Sequence, residues 1–561
     1  AVEGAFGAPT PPGSTLAGSL LVGAPRYQHR VFLLAGSVTF VLQMGSFLQI
    51  FTHGKYEPPS CSTPRSSWPP PERGSVAYEW GLCCHREWML AAIGSAFFAG
   101  CGVGALVGGF LSDRFGRQPV IAYGLAVDAS CLMLSALAPN VVVYAVLLFV
   151  MGAANVAVIL ADFTLVMEWA PEGWRSPVSG FLFSFSAIGE LSLVPLAAAV
   201  ADAVSLDWRP LTLATGAVST LPLFLIWFGL PESPRWLHAR GRSEDAAAVL
   251  CRAAKRNTAA SRTPQRIAAF AETACVLSAN GLSSSTVEAA LGVAEKSGLV
   301  DEAGQSPVAT GEGEKRAKGP RVAVRKPSTW VMALLWFTAS LTYYGISLAV
   351  GEFGHRMSIY AKAGMSASIE IPAAFAAAWL IERRILGRRL ATTMLLAVGG
   401  IFCMSLPLLP ESGAAWVAIA GKLFLTSAFD GIYVYASEVF ETAIRGSAMG
   451  LCSLAARVGS VSAPQAIAFL SADQIMLVFG GFALLSAAVC RAVLPETLQL
   501  AAVASKAVAA EGGGKYGRVQ VSMVPVGVEK DDCRSRSSTS DTGNGDSSSA
   551  CSASTSSRHS S

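Results

Sequence analysis

The sequence predicts an all-α polytopic membrane protein with twelve transmembrane helices arranged as two six-helix repeats. The first observation behind this prediction is composition: of 561 residues, 52% are hydrophobic and only 14% are charged, and the mean hydropathy is +0.47. Soluble proteins carry about 25% charged residues, so a conventional cytosolic or secreted enzyme is excluded. The second observation is a series of long apolar stretches, and the third is a set of motifs that recurs in both halves of the chain.

The apolar stretches are each long enough to cross about 30 Å of hydrocarbon as a helix. Helices are expected because an open strand would leave backbone polar groups without partners in lipid. Six stretches precede a long polar interval and six follow it. They cover residues 31–51, 89–111, 120–139, 141–167, 178–200 and 210–230, and then 330–350, 359–381, 390–410, 413–436, 447–470 and 474–494.

Polar segments divide the chain into five parts. Most of the 42 lysine and arginine residues fall in the termini and in alternate loops, which by the positive-inside rule places both termini in the cytosol. The last part is too poor in apolar groups to offset the entropy of ordering, and it could bind cytosolic partners that the sequence does not identify. The parts are a cytosolic N-terminus (1–30), an N-terminal half (31–230) with a short extracellular loop (52–88), a cytosolic linker (231–329), a C-terminal half (330–494) and a disordered, serine-rich cytosolic tail (495–561).

Three sequence landmarks recur in the same order and at similar distances in the two halves. The matched pairs are Gly116-Arg117 with Gly387-Arg388, Glu168 and Arg175 with Glu438 and Arg445, and Pro231-Glu232 with Pro495-Glu496. Such repeats are how secondary transporters build a site at the membrane midplane between two moving halves. The landmarks therefore indicate two homologous six-helix halves.

The sequence motifs around these landmarks resemble those of a known family. "GGFLSDRFGRQPV" is similar to the loop motif of the major facilitator superfamily, and "PESPRWL" with "ASEVFETAIRG" resembles solute carrier family 22, the organic cation and anion transporters. The resemblance covers about residues 31–500. It implies the major facilitator fold, alternating access at a plasma membrane and a small organic ion as substrate. It implies no covalent chemistry, so neither an enzyme nor a cofactor is expected.

Charged residues at the cytosolic helix ends are candidate gating groups: Asp113, Arg114, Arg117, Glu168, Arg175, Glu438 and Arg445. Opposite charges there can bridge neighbouring helices and separate when the two halves rock. The alternative is that they only set topology and keep the loops soluble. In the second half Arg384 occupies the acidic position of the first motif and Glu382 is displaced. The gating contacts of the second half are therefore expected to be weaker than those of the first.

Charged side chains inside the spans cost roughly 2.5–3.5 kcal/mol each on insertion scales and usually face a cavity or a partner. Lys422 and Asp430 lie about two turns apart on one face of a helix. Asp162 is expected to reach the membrane interface from a helix end. The remaining candidates are Asp128, Glu190, Glu370 and Arg457.

The resemblance gives Arg457 a role, because an arginine at this place helps to bind the anion in the organic-anion branch, where the cation branch has an aspartate. A guanidinium presents a planar fork of donors that suits a carboxylate or a sulfate. The alternative is a structural ion pair with Asp430 or Glu370. In contrast, "IEIPAAF" resembles the cation branch, since the anion branch would have lysine at Ala374.

Four aromatic residues match positions that line the cavity of the anion branch: Tyr343, Tyr344, Phe429 and Tyr433. Aromatic walls suit amphipathic organic ions, although aromatic residues in a span also serve as packing or as interfacial anchors. With Arg457, Asp430, Glu370 and Lys422 they form the predicted substrate-binding set.

The sequence thus predicts a carrier of small organic ions, with anions favoured over cations. One alternative is a transport-silent receptor or scaffold with the carrier fold, and another is an organic-cation carrier that uses Glu370 and Asp430. No Walker, nucleic-acid or metal-binding motif is expected to operate. The glycines at Gly100, Gly104 and Gly108 are expected to allow close helix packing.

Overall fold

The computed structural model describes residues 26–54, 74–170, 175–203, 207–258, 327–352, 357–382, 386–440 and 442–497. Within these ranges the chain is helical, and the twelve-helix prediction is confirmed. The membrane helices, numbered in chain order, are α1 (Arg26–Phe47), α2 (Glu87–Phe115), α3 (Arg117–Ser135), α4 (Val141–Trp169), α5 (Arg175–Ala203), α6 (Trp208–Gly229), α7 (Pro327–Leu348), α8a (Ile359–Ser368) with α8b (Glu370–Glu382), α9 (Gly387–Ser405), α10 (Glu411–Val439), α11 (Thr442–Phe469) and α12 (Ala472–Val493).

Ten helical segments in the described part of the chain are long and apolar enough to cross a membrane by length and composition. The eighth span is not among them because Ile369 divides it into α8a and α8b, each too short alone. The eleventh is 28 residues long, but Arg457, Gln465 and several serines lower its hydropathy. These two helices carry polar residues at the contact between the halves, which is where a membrane protein tolerates them.

Helix ends are capped by side chains where the loops are short. Asn140 accepts the N–H of Val143 at 3.0 Å before α4, and Ser471 forms a capping box with Gln474 before α12. These bonds satisfy backbone donors that the first turn of a helix leaves without partners. Most of the predicted linker (259–326) and of the predicted tail (498–561) lies outside the described residues.

Close packing of α2 against α4 follows from glycine, as predicted. A Cβ atom at Gly100 or Gly104 would overlap the backbone carbonyls of Phe149 and Ala153, and one at Gly152 would overlap the carbonyl of Phe97. Without side chains at these positions the two backbones touch directly. The pair forms a rigid wall of the N-terminal half.

Each half has its own apolar core. One core joins residues of α7 and α9–α12, and two further cores join residues of α1–α6. The halves meet where α2 packs against α11 and where α5 packs against α8a and α8b. The two halves therefore touch through two symmetry-related helix pairs.

We call the side of the membrane at which α1 ends and α2 begins the distal side, and the opposite side the proximal side. The contacts between the halves that the described residues show lie at the middle of the membrane or distal to it. Ser95 donates to the carbonyl of Val461 at 2.8 Å, Gln465 donates to Ser95 at 3.1 Å, and the rings of Phe51 and Tyr360 stack at 5.9 Å. The distal side is therefore the closed side in this structure.

A short helix (Val76–Trp80) covers the distal ends of the N-terminal half. Glu79 forms an ion pair with Arg209, and the Trp80 ring lies 5.3 Å from that of Tyr144. His53 Nε2 lies 3.1 Å from the Tyr144 hydroxyl, and burial lowers the pKa of His53 to about 4. This distal aromatic cluster fixes the loop between α1 and α2 to the bundle.

Candidate functional site

Three charged side chains meet near the middle of the membrane, on helices that join the two halves. Lys422 Nζ on α10 lies 2.7 Å from Glu370 Oε1 on α8b and 3.7 Å from Glu190 Oε1 on α5. Lys422 also donates to the carbonyl and the hydroxyl of Ser366, at 3.0 and 2.8 Å. The three residues are 1%, 7% and 3% exposed, respectively. We call Glu190, Glu370 and Lys422 the midplane ion cluster.

Tyr343 connects the midplane ion cluster to a row of aromatic rings. Its hydroxyl donates to Glu370 Oε2 at 3.0 Å and accepts from Gln43 of α1 at 3.4 Å. Its ring lies 5.0 Å from that of Tyr344 and 5.7 Å from that of Phe429. Phe429 in turn lies 5.5 Å from Tyr433, one helical turn further along α10. The four predicted aromatic residues thus form one continuous wall.

The N-terminal half supplies further rings to this wall. Phe47 of α1 stacks on Tyr344 at 6.1 Å, and Phe98 of α2 lies 4.7 Å from it. Both phenylalanines are 1% exposed, so they fill the contact between the halves. Because aromatic pairs contribute about 0.5–1.5 kcal/mol beyond their burial, this contact helps to hold the distal side closed.

Arg457 of α11 lies among neutral groups. Its neighbours are Tyr344, Tyr433 and the Cys101 thiol, and its side chain faces Gly102 of α2. Its Nε atom is buried and makes no hydrogen bond. No described carboxylate lies within ion-pair distance of its guanidinium, so the structure does not form the alternative pair with Asp430 or Glu370. A partly buried cation with no described carboxylate beside it is expensive, so Arg457 is a candidate binding group for an anion.

A first cluster of charges joins the helix ends at the proximal side of the N-terminal half. Arg117, which is 9% exposed, lies 3.1 Å from Glu168 Oε1 and 3.2 Å from Asp113 Oδ1. The backbone N–H of Arg117 donates to Glu232 Oε1 at 3.1 Å. Burial raises the pKa of Glu232, and the backbone N–H groups that it accepts lower it in part. We call Asp113, Arg117, Glu168 and Glu232 the first proximal cluster.

The C-terminal half contains the matching cluster. Arg388 lies 3.0 Å from Glu438 Oε1, and its backbone N–H donates to Glu496 Oε1 at 2.7 Å. Both clusters need a glycine with positive φ before the arginine: +108° at Gly116 and +71° at Gly387. A Cβ at either glycine would overlap the glutamate carboxylate. We call Arg388, Glu438 and Glu496 the second proximal cluster.

A family model described as Major Facilitator Superfamily matches residues 86–464. The chain belongs to the Major Facilitator Superfamily. It is therefore a multi-pass membrane protein of a transporter family, in agreement with its twelve helices.

The superfamily member has curated relatives in solute carrier family 22, which confirms the resemblance predicted from the sequence. Solute carrier family 22 member 15-like of Xenopus laevis is 29% identical over 75% of this chain and 79% of the relative. Solute carrier family 22 member 13 of Homo sapiens is 28% identical over 81% and 74%. Organic anion transporter 3 of Mus musculus is 29% identical over 70% and 66%.

Solved structures of the superfamily share the fold. The proton:xylose symporter XylE bound to 6-bromo-6-deoxy-D-glucose aligns with a TM-score of 0.56 at 16% identity, over 85% of this chain and 99% of that one. A partially occluded inward open conformation of XylE from E. coli aligns with a TM-score of 0.56 over 84% and 98%. At this identity the likeness concerns the fold alone.

Some residues singled out in this superfamily member lie elsewhere than expected. Asp162 is 1% exposed and accepts from Thr39 of α1 at 3.2 Å, so the expectation that it reaches the interface was wrong: Thr39 gives its carboxyl a partner inside the bundle. Lys422 and Asp430, which the sequence places on one face of the helix, have different neighbours, and Glu370 and Glu190 surround the Lys422 ammonium. Asp430 is partly buried, with Glu370 nearby.

The predicted gating set is only partly assembled. Arg114 is exposed and lies over the rings of Phe110 and Phe115, outside the first proximal cluster. The side chains of Arg175 and Arg445 lie outside the described part, as do Arg384 and the side chain of Glu382. The carboxylates of Glu232 and Glu496 complete the clusters, although the sequence marked them only as repeat landmarks.

Proposed function

We propose that this superfamily member carries small organic anions across a membrane by alternating access. The observation that supports this most directly is Arg457, a cation between the two halves with no described carboxylate beside it. A bound anion would supply the missing charge and would accept from the planar fork of the guanidinium. The names of relatives such as organic anion transporter 3 add to this support.

The aromatic wall would select the rest of the substrate. Tyr344 and Tyr433 flank Arg457, while Phe429 and Tyr343 continue the wall toward the midplane ion cluster. An anion that carries an apolar or aromatic body would place its charge at Arg457 and its body against these rings. Glu370 and Lys422 neutralise each other, so we place them as polar groups at the end of the aromatic wall.

The proximal clusters would act as gates. Each one ties helix ends within its own half, so it keeps the proximal end of that half rigid while the halves rock. Separation of the bonds between Arg117 and its carboxylates, or between Arg388 and Glu438, would loosen these ends in the opposite state. Because the distal contacts are closed, this structure corresponds to a state in which the distal side is shut.

We further propose a plasma-membrane location with both termini and the proximal side in the cytosol, since most basic residues lie on that side. Epitope tags placed at residues 55–75 should be labelled on intact cells, whereas tags at 300–320 should require permeabilisation. Labelling of the second tag on intact cells would contradict this orientation.

A second candidate is an organic-cation carrier, because Asp430 lies in the same region and no described cation pairs with it. Uptake of labelled aromatic carboxylates, sulfonates and quaternary amines into cells that express the chain separates the candidates. Anion uptake that Arg457→Ala removes supports the first. Cation uptake that Asp430→Asn removes supports the second, and binding without uptake indicates a receptor.

A further inference from the structure

The midplane ion cluster contains two carboxylates but only one cation to balance them. Two glutamates and one lysine share a site in which every member is at most 7% exposed. With all three groups ionised the cluster would hold a net negative charge away from water. A buried ion is costly unless its charge is balanced. Of the two carboxylates, Glu370 is the balanced one, since it lies 2.7 Å from Lys422 and accepts from Tyr343.

Glu190 is the carboxylate without that support. Neither of its oxygens makes a hydrogen bond to a described donor, and its distance to Lys422 is 3.7 Å. Its carboxyl group faces that of Glu370. Two carboxylates that share one site cannot readily both stay ionised, so one of them holds a proton. A proton on Glu190 makes the cluster neutral and lets Glu190 donate to Glu370.

The position of Glu190 connects this proton to the transport cycle. Glu190 belongs to the N-terminal half and Lys422 to the C-terminal half, so rocking of the halves separates them. Once α5 and α8 part on the distal side, Glu190 reaches the distal solution and exchanges its proton with water. Closure of the distal side returns Glu190 to a dry site next to Glu370, which requires the protonated form.

We propose that Glu190 is a proton-binding site and that the carrier moves one proton together with each substrate anion. The Glu190 carboxylate takes up a proton from the distal solution to give the carboxylic acid. When the proximal side opens, the acid returns this proton to proximal water and the carboxylate re-forms, with no other bond formed or broken. The substrate enters from the same side before the same closure, so both move in the same direction. This inference rests on the proposed anion transport and names its coupling ion.

Other titratable groups near α5 are engaged elsewhere. On α4, Asp162 accepts from Thr39, and on α6, Arg209 pairs with Glu79. Arg30 of α1 lies at the proximal end, beside Gly229. From the C-terminal half, the Tyr343 hydroxyl donates to Glu370 and also lies near Glu190, and Asp430 adjoins Glu370. Lys362 of α8a donates to the carbonyl of Gly351, and among the described residues Lys422 and Glu370 are the charged groups that interact with Glu190.

The test uses the full chain in proteoliposomes with labelled toluene-4-sulfonate, an aromatic anion that stays ionised across the pH range used. Potassium and valinomycin hold the membrane potential at zero. An acidic outer solution should drive accumulation, up to about tenfold per pH unit at one proton per anion. A pH dye inside the vesicles should record acidification that requires the anion.

Glu190→Gln mimics the protonated carboxyl and should keep exchange of labelled for unlabelled anion while losing accumulation and acidification. Asp162→Asn, an equally buried carboxylate in the same half, is the matched control and should keep both. Wild-type exchange without accumulation, or accumulation that survives in Glu190→Gln, overturns the proton site while the proposed function stands. A wild type that exchanges no organic anion overturns both.

Discussion

The carboxylate of Glu232 accepts the backbone N–H of Arg117 at 3.1 Å, and this bond ties the segment after α6 to the turn between α2 and α3. Glu496 and Arg388 repeat the arrangement in the other half at 2.7 Å. Both bonds need a bare backbone in front of the arginine, because a Cβ there would occupy the position of the carboxylate. The geometry of the turn, and not only its charges, therefore shapes the proximal end of each half.

Gly116→Ala should lower the thermal stability of the purified protein by the equivalent of about 1–3 kcal/mol, because alanine is strained at φ +108° and displaces Glu232. Gly387→Ala should act in the same direction. Gly109→Ala is the matched control, since an added Cβ there meets nothing within 4 Å. Equal stability of Gly116→Ala and Gly109→Ala would show that the turn does not hold the cluster.

Arg117→Ala should leave the protein inserted but reduce the transport rate more than the apparent substrate affinity. The change strands the carboxylate of Glu168 and shifts the balance between inward-facing and outward-facing states. Asp113→Asn should have a smaller effect, because the side chain of Asp113 is 75% exposed. Initial uptake rates at matched surface abundance measure both. A normal uptake rate in Arg117→Ala would contradict the gating role and would show that the first proximal cluster only sets membrane topology.

Acid should destabilise the distal aromatic cluster. His53 lies just beyond the span that ends at Thr52, and burial lowers its pKa from 6.5 to about 4. A lowered pKa means that the folded protein prefers neutral His53. Stability is thus fully present above pH 6.5 and is lost as the pH falls toward 4, by on the order of 2 kcal/mol for this partly exposed ring. Melting temperatures at pH 7.5 and 5 should differ less in His53→Gln than in the wild type.

Much of the fold could be predicted from the sequence because its signals are local or repeated. A run of apolar residues specifies a span without reference to any partner, and the glycines at Gly100 and Gly104 specify a close contact wherever their helix packs. Part of the aromatic wall could also be predicted, because Phe429 and Tyr433 are four residues apart and a helix places them on one face.

Partners across helices could not be predicted in the same way. Helical periodicity places Lys422 and Asp430 on one face but does not say which neighbouring helix that face meets. Glu370 and Glu190 come from two other helices and surround the ammonium. The prediction for Asp162 was wrong for a related reason. Hydropathy locates a span but does not give the rotation of the helix, which here turns Asp162 toward Thr39. The sequence could have identified Glu232 and Glu496 as members of the proximal clusters, since a Pro-Glu pair repeats in both halves.

The central claim is that Arg457 holds the charge of an organic anion, and uptake compared with surface abundance tests it most directly. No described carboxylate would be stranded by its loss, so Arg457→Ala should reach the cell surface at normal abundance and abolish uptake of the labelled anion. Arg457→Lys should restore uptake only in part, because an ammonium lacks the bidentate fork. A normally abundant Arg457→Ala that transports the anion at the wild-type rate would contradict the assignment.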